Sequence, residues 1–177
     1  MTRISPWVIA PPIIFLSIAT MFALGLYREN PNTLPSAMIG KFAPRLVTQP
    51  LENLTPVTEE MIRKGDLKLV NFCASWCGPC RAEHPNLAQL SKNGLPVIGL
   101  NYKDTPSNAL RFLQELGNPY EGVSSIDGRQ SLEWGVFGVP ETFLLDGNGK
   151  ILYRATGPIT QRVIREKLIP VMNRHNK

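Results

Sequence analysis

The chain has 177 residues, 43% hydrophobic and 19% charged, with a formal net charge of +5. This is enough for one globular core with an appendage, and three cysteines are too few for a scaffold built on disulfides. No basic patch is interleaved with aromatics, so nucleic acid is not an expected partner; Arg162, Arg165, Lys167, Arg174 and Lys177 read as a solvated helix face.

Arg3 is the only charged residue before Arg28, and the 24 residues from Ile4 to Tyr27 carry no charge. About 20 apolar residues cross a bilayer core. No convincing small-residue cleavage site lies between Met21 and Asn30, so the segment reads as an uncleaved signal anchor. Pro11 and Pro12 would kink such a helix or delay its start, and Trp7 and Tyr27 would mark the two interfaces. An N-in, C-out anchor places the remainder of the chain outside the cytoplasm, where disulfides persist. The expected organisation is an anchor over residues 1–28, a Pro- and Asn-rich linker over 29–41 and one folded domain over 42–177.

Within that domain, Thr58 is placed to cap a short helix from Glu59 to Lys64, with Gly65 to end it. Leu67 to Cys73 reads as a buried strand. Gly78 to Lys92 reads as a helix stopped at Asn93-Gly94, and Pro85 should kink it, since Leu87 and Leu90 continue an apolar face beyond. Pro96 to Asn101 is a second buried strand. Ser107 to Leu116 is a helix with Ala109, Leu110, Phe112, Leu113 and Leu116 on its apolar face. A weak strand over 123–126 and a short helix from Arg129 to Trp134 come next. Glu141 to Leu145 and Ile151 to Ala155 form a hairpin about Asp146-Gly147-Asn148-Gly149. Thr160 is placed to cap a last helix through Met172. This alternation argues for an α/β fold with a sheet part parallel and part antiparallel.

The most informative segment is Ser75-Trp76-Cys77-Gly78-Pro79-Cys80, between a strand and a helix. A thiol at a helix N-terminus meets free backbone N–H groups and the positive end of the dipole, and both favour a thiolate. A second cysteine one turn on can resolve a mixed disulfide within the same molecule. The pattern points to dithiol–disulfide exchange, with no metal and no cofactor beyond a redox-active Cys77–Cys80 pair. Two alternatives stand beside it. A zinc site would need further ligands from Cys73, His84 and His175, which are poorly spaced for one. A structural disulfide across so short a loop would restrain little of the unfolded chain.

Other residues bear on that chemistry. Val139-Pro140 stands just before an apolar strand, where a cis bond would leave edge backbone groups open to an extended peptide. Glu83, on the helix that carries the motif, and Glu141, directly after Pro140, would oppose thiolate formation if near it; either is equally readable as a solvated acid. Asn71 and Cys73 share one face of the incoming strand. Cys73 is a third redox thiol or, as a small hydrophobe, part of the core.

Assembled, the strand, Trp-Cys-Gly-Pro-Cys, the helix with Pro85 and the distant Val-Pro before a hairpin resemble thioredoxin. The resemblance implies a thioredoxin-like fold, Cys77 as nucleophile, Cys80 as resolving thiol and Pro140 in cis as the substrate-docking proline, with Trp76, Gly78, Pro79 and Val139 around them. The blocks from Cys80 to Pro85, from Gly99 to Asp104, from Glu115 to Tyr120 and from Gly138 to Phe143 are similar to the cytochrome c biogenesis thiol:disulfide interchange proteins. That branch implies a monomeric, single-pass protein of the bacterial inner membrane with its thiol domain in the periplasm. Its substrate would be oxidised cysteines of apocytochrome c or of a maturation partner, and its donor a membrane thiol reductant. Glu83 and Glu141 match acids that line the site in that branch. Asn71 stands where thioredoxin has a buried acid, which leaves Glu83 to move the proton, and Cys73 stands where a bulky aromatic is usual. Competing readings are a general periplasmic oxidant and a module that chiefly holds apocytochrome c.

Overall fold

The computed structural model describes residues 6–26 and 38–175, and the chain divides into two compact units, Met1–Ser36 and Ala37–Lys177. In the first, helix α1 (Pro6–Leu26) runs through Pro11 and Pro12 and contains no charged residue. Its apolar side chains at Ile13, Ile14, Phe15, Leu16, Met21, Phe22 and Leu24 are exposed. Among the described residues no helix is long and apolar enough to cross a membrane. The ends of the expected anchor, residues 1–5 and 27–28, and most of the expected linker lie outside the described residues.

The second unit is built on a six-stranded sheet. Its elements are β1 (Gln49–Pro50), α2 (Glu59–Arg63), β2 (Lys68–Cys73), α3 (Gly78–Lys92), β3 (Val97–Tyr102), α4 (Pro106–Leu116), β4 (Gly122–Ile126), α5 (Gly128–Glu133), β5 (Glu141–Leu145) and β6 (Ile151–Thr156). The chain ends in a helical stretch made of α6 (Gln161–Val163), a π-helical segment (Ile164–Leu168) and α7 (Ile169–His175). The strand order is β1-β4-β3-β2-β5-β6. β2, β3 and β4 run parallel, and β5 and β6 continue antiparallel from β2. This is the mixed α/β sheet expected from the alternation.

The central strands are buried along their whole length, which accounts for their near-continuous apolar runs, as expected for strands covered on both sides. Leu69, Val97 and Leu144 face one core with Leu87 and Leu113 from the helices. Val70, Phe72, Ile98, Leu100 and Phe143 face the other with Trp134. There the rings of Phe72, Phe143 and Trp134 meet edge to face or tilted at 5.4–5.7 Å, a geometry that adds to plain area burial.

Local rules set the helix starts. Thr58, Thr105, Asp127 and Thr160 each accept a backbone N–H from the first turn. α3 runs through Pro85 rather than ending there. Near the C-terminus the Ile169 N–H bonds the Ile164 carbonyl, five residues back. This widened turn immediately precedes Pro170, which has no N–H to give the helix.

Two segments differ from the sequence expectation. Met38 to Lys41, assigned to the linker, are part of the folded unit: Gly40 N–H donates to Ile151 O at 2.8 Å and Ile151 N–H to Lys41 O at 2.8 Å. The stretch between Phe42 and α2, read as irregular with no strand, also contributes β1, paired antiparallel with β4. Being two residues long, exposed and ended by a proline, β1 has none of the alternation that marks a strand.

Candidate active site

β2 delivers the Cys77–Cys80 pair to the carboxyl end of the central strand. The two sulfurs are joined in a disulfide, and both residues are buried. Cys77 is the N-cap of α3, and its Sγ accepts the Cys80 N–H at 3.1 Å. The same N–H would favour the thiolate in the reduced state. Gly78 and Pro79 form the first turn, where a proline costs no helical hydrogen bond. The preceding loop is pinned to the segment after β3. Ser75 N–H donates to Asp104 Oδ2 at 2.7 Å, and Trp76 Nε1–H donates to Lys103 O at 3.1 Å. Trp76 is otherwise left 60% exposed beside the disulfide.

Glu83 projects from α3 onto one face of the sheet and is 1% exposed. Asn71 Nδ2 donates to its Oε1 at 2.8 Å and to Thr142 Oγ1 at 3.0 Å, while Tyr120 Oη donates to Asn71 Oδ1 at 2.9 Å. The Ile159 N–H donates to Glu83 Oε2 at 2.7 Å. These partners are all neutral. Burial raises the carboxyl to about 7, against the lowering effect of the Ile159 N–H and Asn71. Close approach shapes this network, because a Cβ on Gly99 would lie 2.9 Å from the Tyr120 ring.

Glu141 lies on the other face. Its register partner on β2 is Phe72, one residue from the Asn71–Thr142 pair, and successive residues of a strand point to opposite sides. It is buried but not alone: Arg154 Nε donates to its Oε2 at 2.7 Å, and Phe137 N–H donates to its Oε1 at 3.4 Å. Burial raises this carboxyl too, but Arg154 opposes the shift. Of the two readings of Glu141, the solvated surface acid does not hold, because the side chain is buried and paired with a guanidinium.

The Val139–Pro140 bond is cis. Val139 packs against the core cluster that contains Cys77 and Cys80, and Pro140 O accepts the Gly157 N–H at 2.9 Å. Cys73 is buried, and burial pushes its thiol up to about 12, so it stays protonated at neutral pH. His84, weighed as a metal ligand, instead has Nε2 2.8 Å from Gly117 O and its ring edge-on to Phe112 and Tyr120.

Arg154 and Asp104, which hold Glu141 and the Ser75 backbone, are residues of this region that sequence reasoning misses. Arg154 carries a faint signal. An arginine in the middle of a hairpin strand whose neighbours are apolar can be expected to seek an acid, and the hairpin register sets it opposite Phe143, two residues along the same face from Glu141.

A model of the Redoxin family matches residues 38–168. The chain is 44% identical over 170 residues to the thiol:disulfide interchange protein HelX of Rhodobacter capsulatus, covering 92% of this chain and 97% of that one. The chain belongs to the DsbE-type thiol:disulfide interchange proteins. Its identity to DsbE of Escherichia coli K12 is 42% over 173 residues, covering 94% of each. Among solved structures, a thiol-disulfide isomerase from Corynebacterium glutamicum superposes with a TM-score of 0.62 at 20% identity, over 75% of this chain and 96% of that one, which establishes the thioredoxin-like fold. This DsbE-type chain is thus an enzyme of thiol–disulfide exchange, and its Cys77–Cys80 disulfide is present in oxidised form.

Proposed function

We propose that this chain is the periplasmic reductant of cytochrome c maturation, keeping the haem-binding cysteines of apocytochrome c, or a partner's disulfide, reduced. The observation that carries the reading is the Cys77–Cys80 pair at the N-terminus of α3 with Glu83 buried on the same helix, within a DsbE-type chain. In the reduced enzyme the Cys77 thiolate attacks one sulfur of the substrate disulfide. A mixed disulfide forms and the first substrate thiolate leaves. Cys80 then gives its proton to Glu83 and attacks the Cys77 sulfur, which releases the second substrate thiolate. Two electrons pass to the substrate, and a membrane thiol donor must return two to the Cys77–Cys80 disulfide.

Glu83 suits the proton step because a carboxyl near 7 exchanges protons at neutral pH. The Val139–Pro140 segment is the docking edge for the substrate backbone. The 24 uncharged residues from Ile4 to Tyr27 act as a single inner-membrane anchor with the exchange domain in the periplasm, and the exposed apolar side chains of α1 favour that role. Resistance to alkaline carbonate extraction tests the anchor.

The reduction potential of the full chain in detergent, equilibrated in glutathione buffers, tests the direction of transfer. A value near −270 mV, like thioredoxin's, supports a reductant, whereas one near −120 mV marks an oxidant. Cys77→Ser should abolish exchange, and Cys80→Ser should trap a mixed disulfide with the substrate in membrane extracts. Absence of any trapped thiol protein counts against the assignment.

A further inference from the structure

We propose that Arg154, on β6, is a positioning residue for substrate exchange, holding the loop from Gly135 to Pro140 in place through one guanidinium; the proposal rests on the exchange reading above. The loop carries Phe137 and Val139-Pro140 into β5. Arg154 grips it at both ends. Its Nη2 donates to Gly135 O at 2.6 Å, where the loop begins. Its Nε donates to Glu141 Oε2 at 2.7 Å, where the loop joins β5. The other Glu141 oxygen accepts the Phe137 N–H at 3.4 Å, so the middle of the loop is tied to the same ion pair.

The surroundings keep the guanidinium where it is. Arg154 is 13% exposed and Glu141 4%, and the Arg154 Cζ lies 5.4 Å from the centre of the Phe143 ring. Gly135 is matched to this grip. Its φ is +70°, and a Cβ there would lie 3.4 Å from Arg154 Nη1. The glycine therefore serves both the turn and the approach of the arginine.

The held segment presents Phe137, 78% exposed and the most exposed large apolar side chain described, immediately before Gly138-Val139-Pro140. An exposed aromatic on a tethered backbone is a contact surface for an extended peptide, one that loses little entropy on binding. A planar fork can donate to a carboxylate and a carbonyl at once in fixed directions, whereas a lysine ammonium is a single point of charge. On the exchange reading, a peptide disulfide lies along this loop, whose Val139 packs against the cluster that contains Cys77, while the peptide's sulfur meets Cys77. A small disulfide has no backbone to align and does not need the loop.

The test uses the full chain in detergent, reduced beforehand, and two probes, a synthetic Cys-x-x-Cys-His peptide in its disulfide form and hydroxyethyl disulfide. In Arg154→Gln the ratio of peptide to small-disulfide rate constants should fall ~10-fold, through KM more than kcat, because a misplaced docking element costs orientation. Arg154→Lys keeps the charge beside Glu141 and the fold, and should show most of the same fall. An unchanged ratio in both variants overturns the proposal. So does an equal fall on both probes, which marks general loss of structure. Full recovery in Arg154→Lys overturns it as well, because charge alone would then suffice. A wild-type chain inert toward both probes fails the exchange reading itself, and this inference with it.

Discussion

The two faces of the sheet each bury one glutamate near the carboxyl end of β2, and they treat it in opposite ways. On the α3 face, Glu83 meets the Asn71 amide and the Ile159 N–H, neutral donors that leave burial in control and the carboxyl near 7. On the face of Phe72 and Phe143, Glu141 meets Arg154, and its charge is matched. Both are buried, so the difference between them lies in the partner. An acid without a cation can change protonation in the neutral range and serve as a proton carrier. An acid with one has burial opposed by its cation and is held in place by it.

The largest test of this contrast is Arg154→Met. It strips the cation from a buried carboxylate, and breaking such a pair costs about 3 to 5 kcal/mol of stability. Urea unfolding of the single variant, of Glu141→Gln and of the double variant forms a cycle. The double variant should be less damaged than the two losses added together. Simple additivity would mean that Glu141 depends on its cation no more than Glu83 does, and the contrast would break.

Glu83→Gln should act with the opposite sign. A carboxyl raised from 4.5 to about 7 by folding contributes stability that is fully present below pH 4.5 and is lost as pH rises through 7. At pH 8 the burden is on the order of 3 kcal/mol at most, so the glutamine variant should be more stable than wild type there. The difference should shrink or reverse at pH 4. Denaturation at pH 4, 6 and 8 reads this slope directly, and a parallel pH dependence in variant and wild type would remove Glu83 from the titrating role. The stabilised variant should resolve its mixed disulfide ~100-fold more slowly, an exchange of activity for stability of the kind functional acids impose.

Smaller effects separate the two sides by packing. Gly99→Ala puts a methyl 2.9 Å from the Tyr120 ring and should cost about 1 to 3 kcal/mol through overpacking, loosening the bond from Tyr120 to Asn71. Gly138→Ala, where a Cβ meets nothing within 4 Å, should stay within about 0.5 kcal/mol. Thermal melts of the two variants rank them, and equal losses would contradict the tight fit on the Glu83 side.

Much of the fold is legible in the chain because it is local. A Thr three residues before a free N–H caps a helix whatever surrounds it, and the starts at Thr58 and Thr160 obey that rule. α3 has the bounds the sequence predicts, Gly78–Lys92, since Cys77 caps one end and Asn93-Gly94 closes the other. The central strands announce themselves by apolar runs, and two cysteines at this spacing sit one turn apart on any helix.

What the sequence by itself determined, then, was most of the elements, though not β1, and the exchange chemistry, because propensity, capping and thiol spacing act within a few residues. Only the tertiary structure decided what surrounds each acid. Glu83 and Glu141 look alike as letters, and either could be a solvated surface carboxylate. The register of β5 against β2 and β6 sends Glu141 to the face where Arg154 lies, and the packing of α3 sends Glu83 to the face of Asn71. A pKa depends on solvent and charge within a few ångströms, and those neighbours come from residues 12 to 76 positions away in sequence.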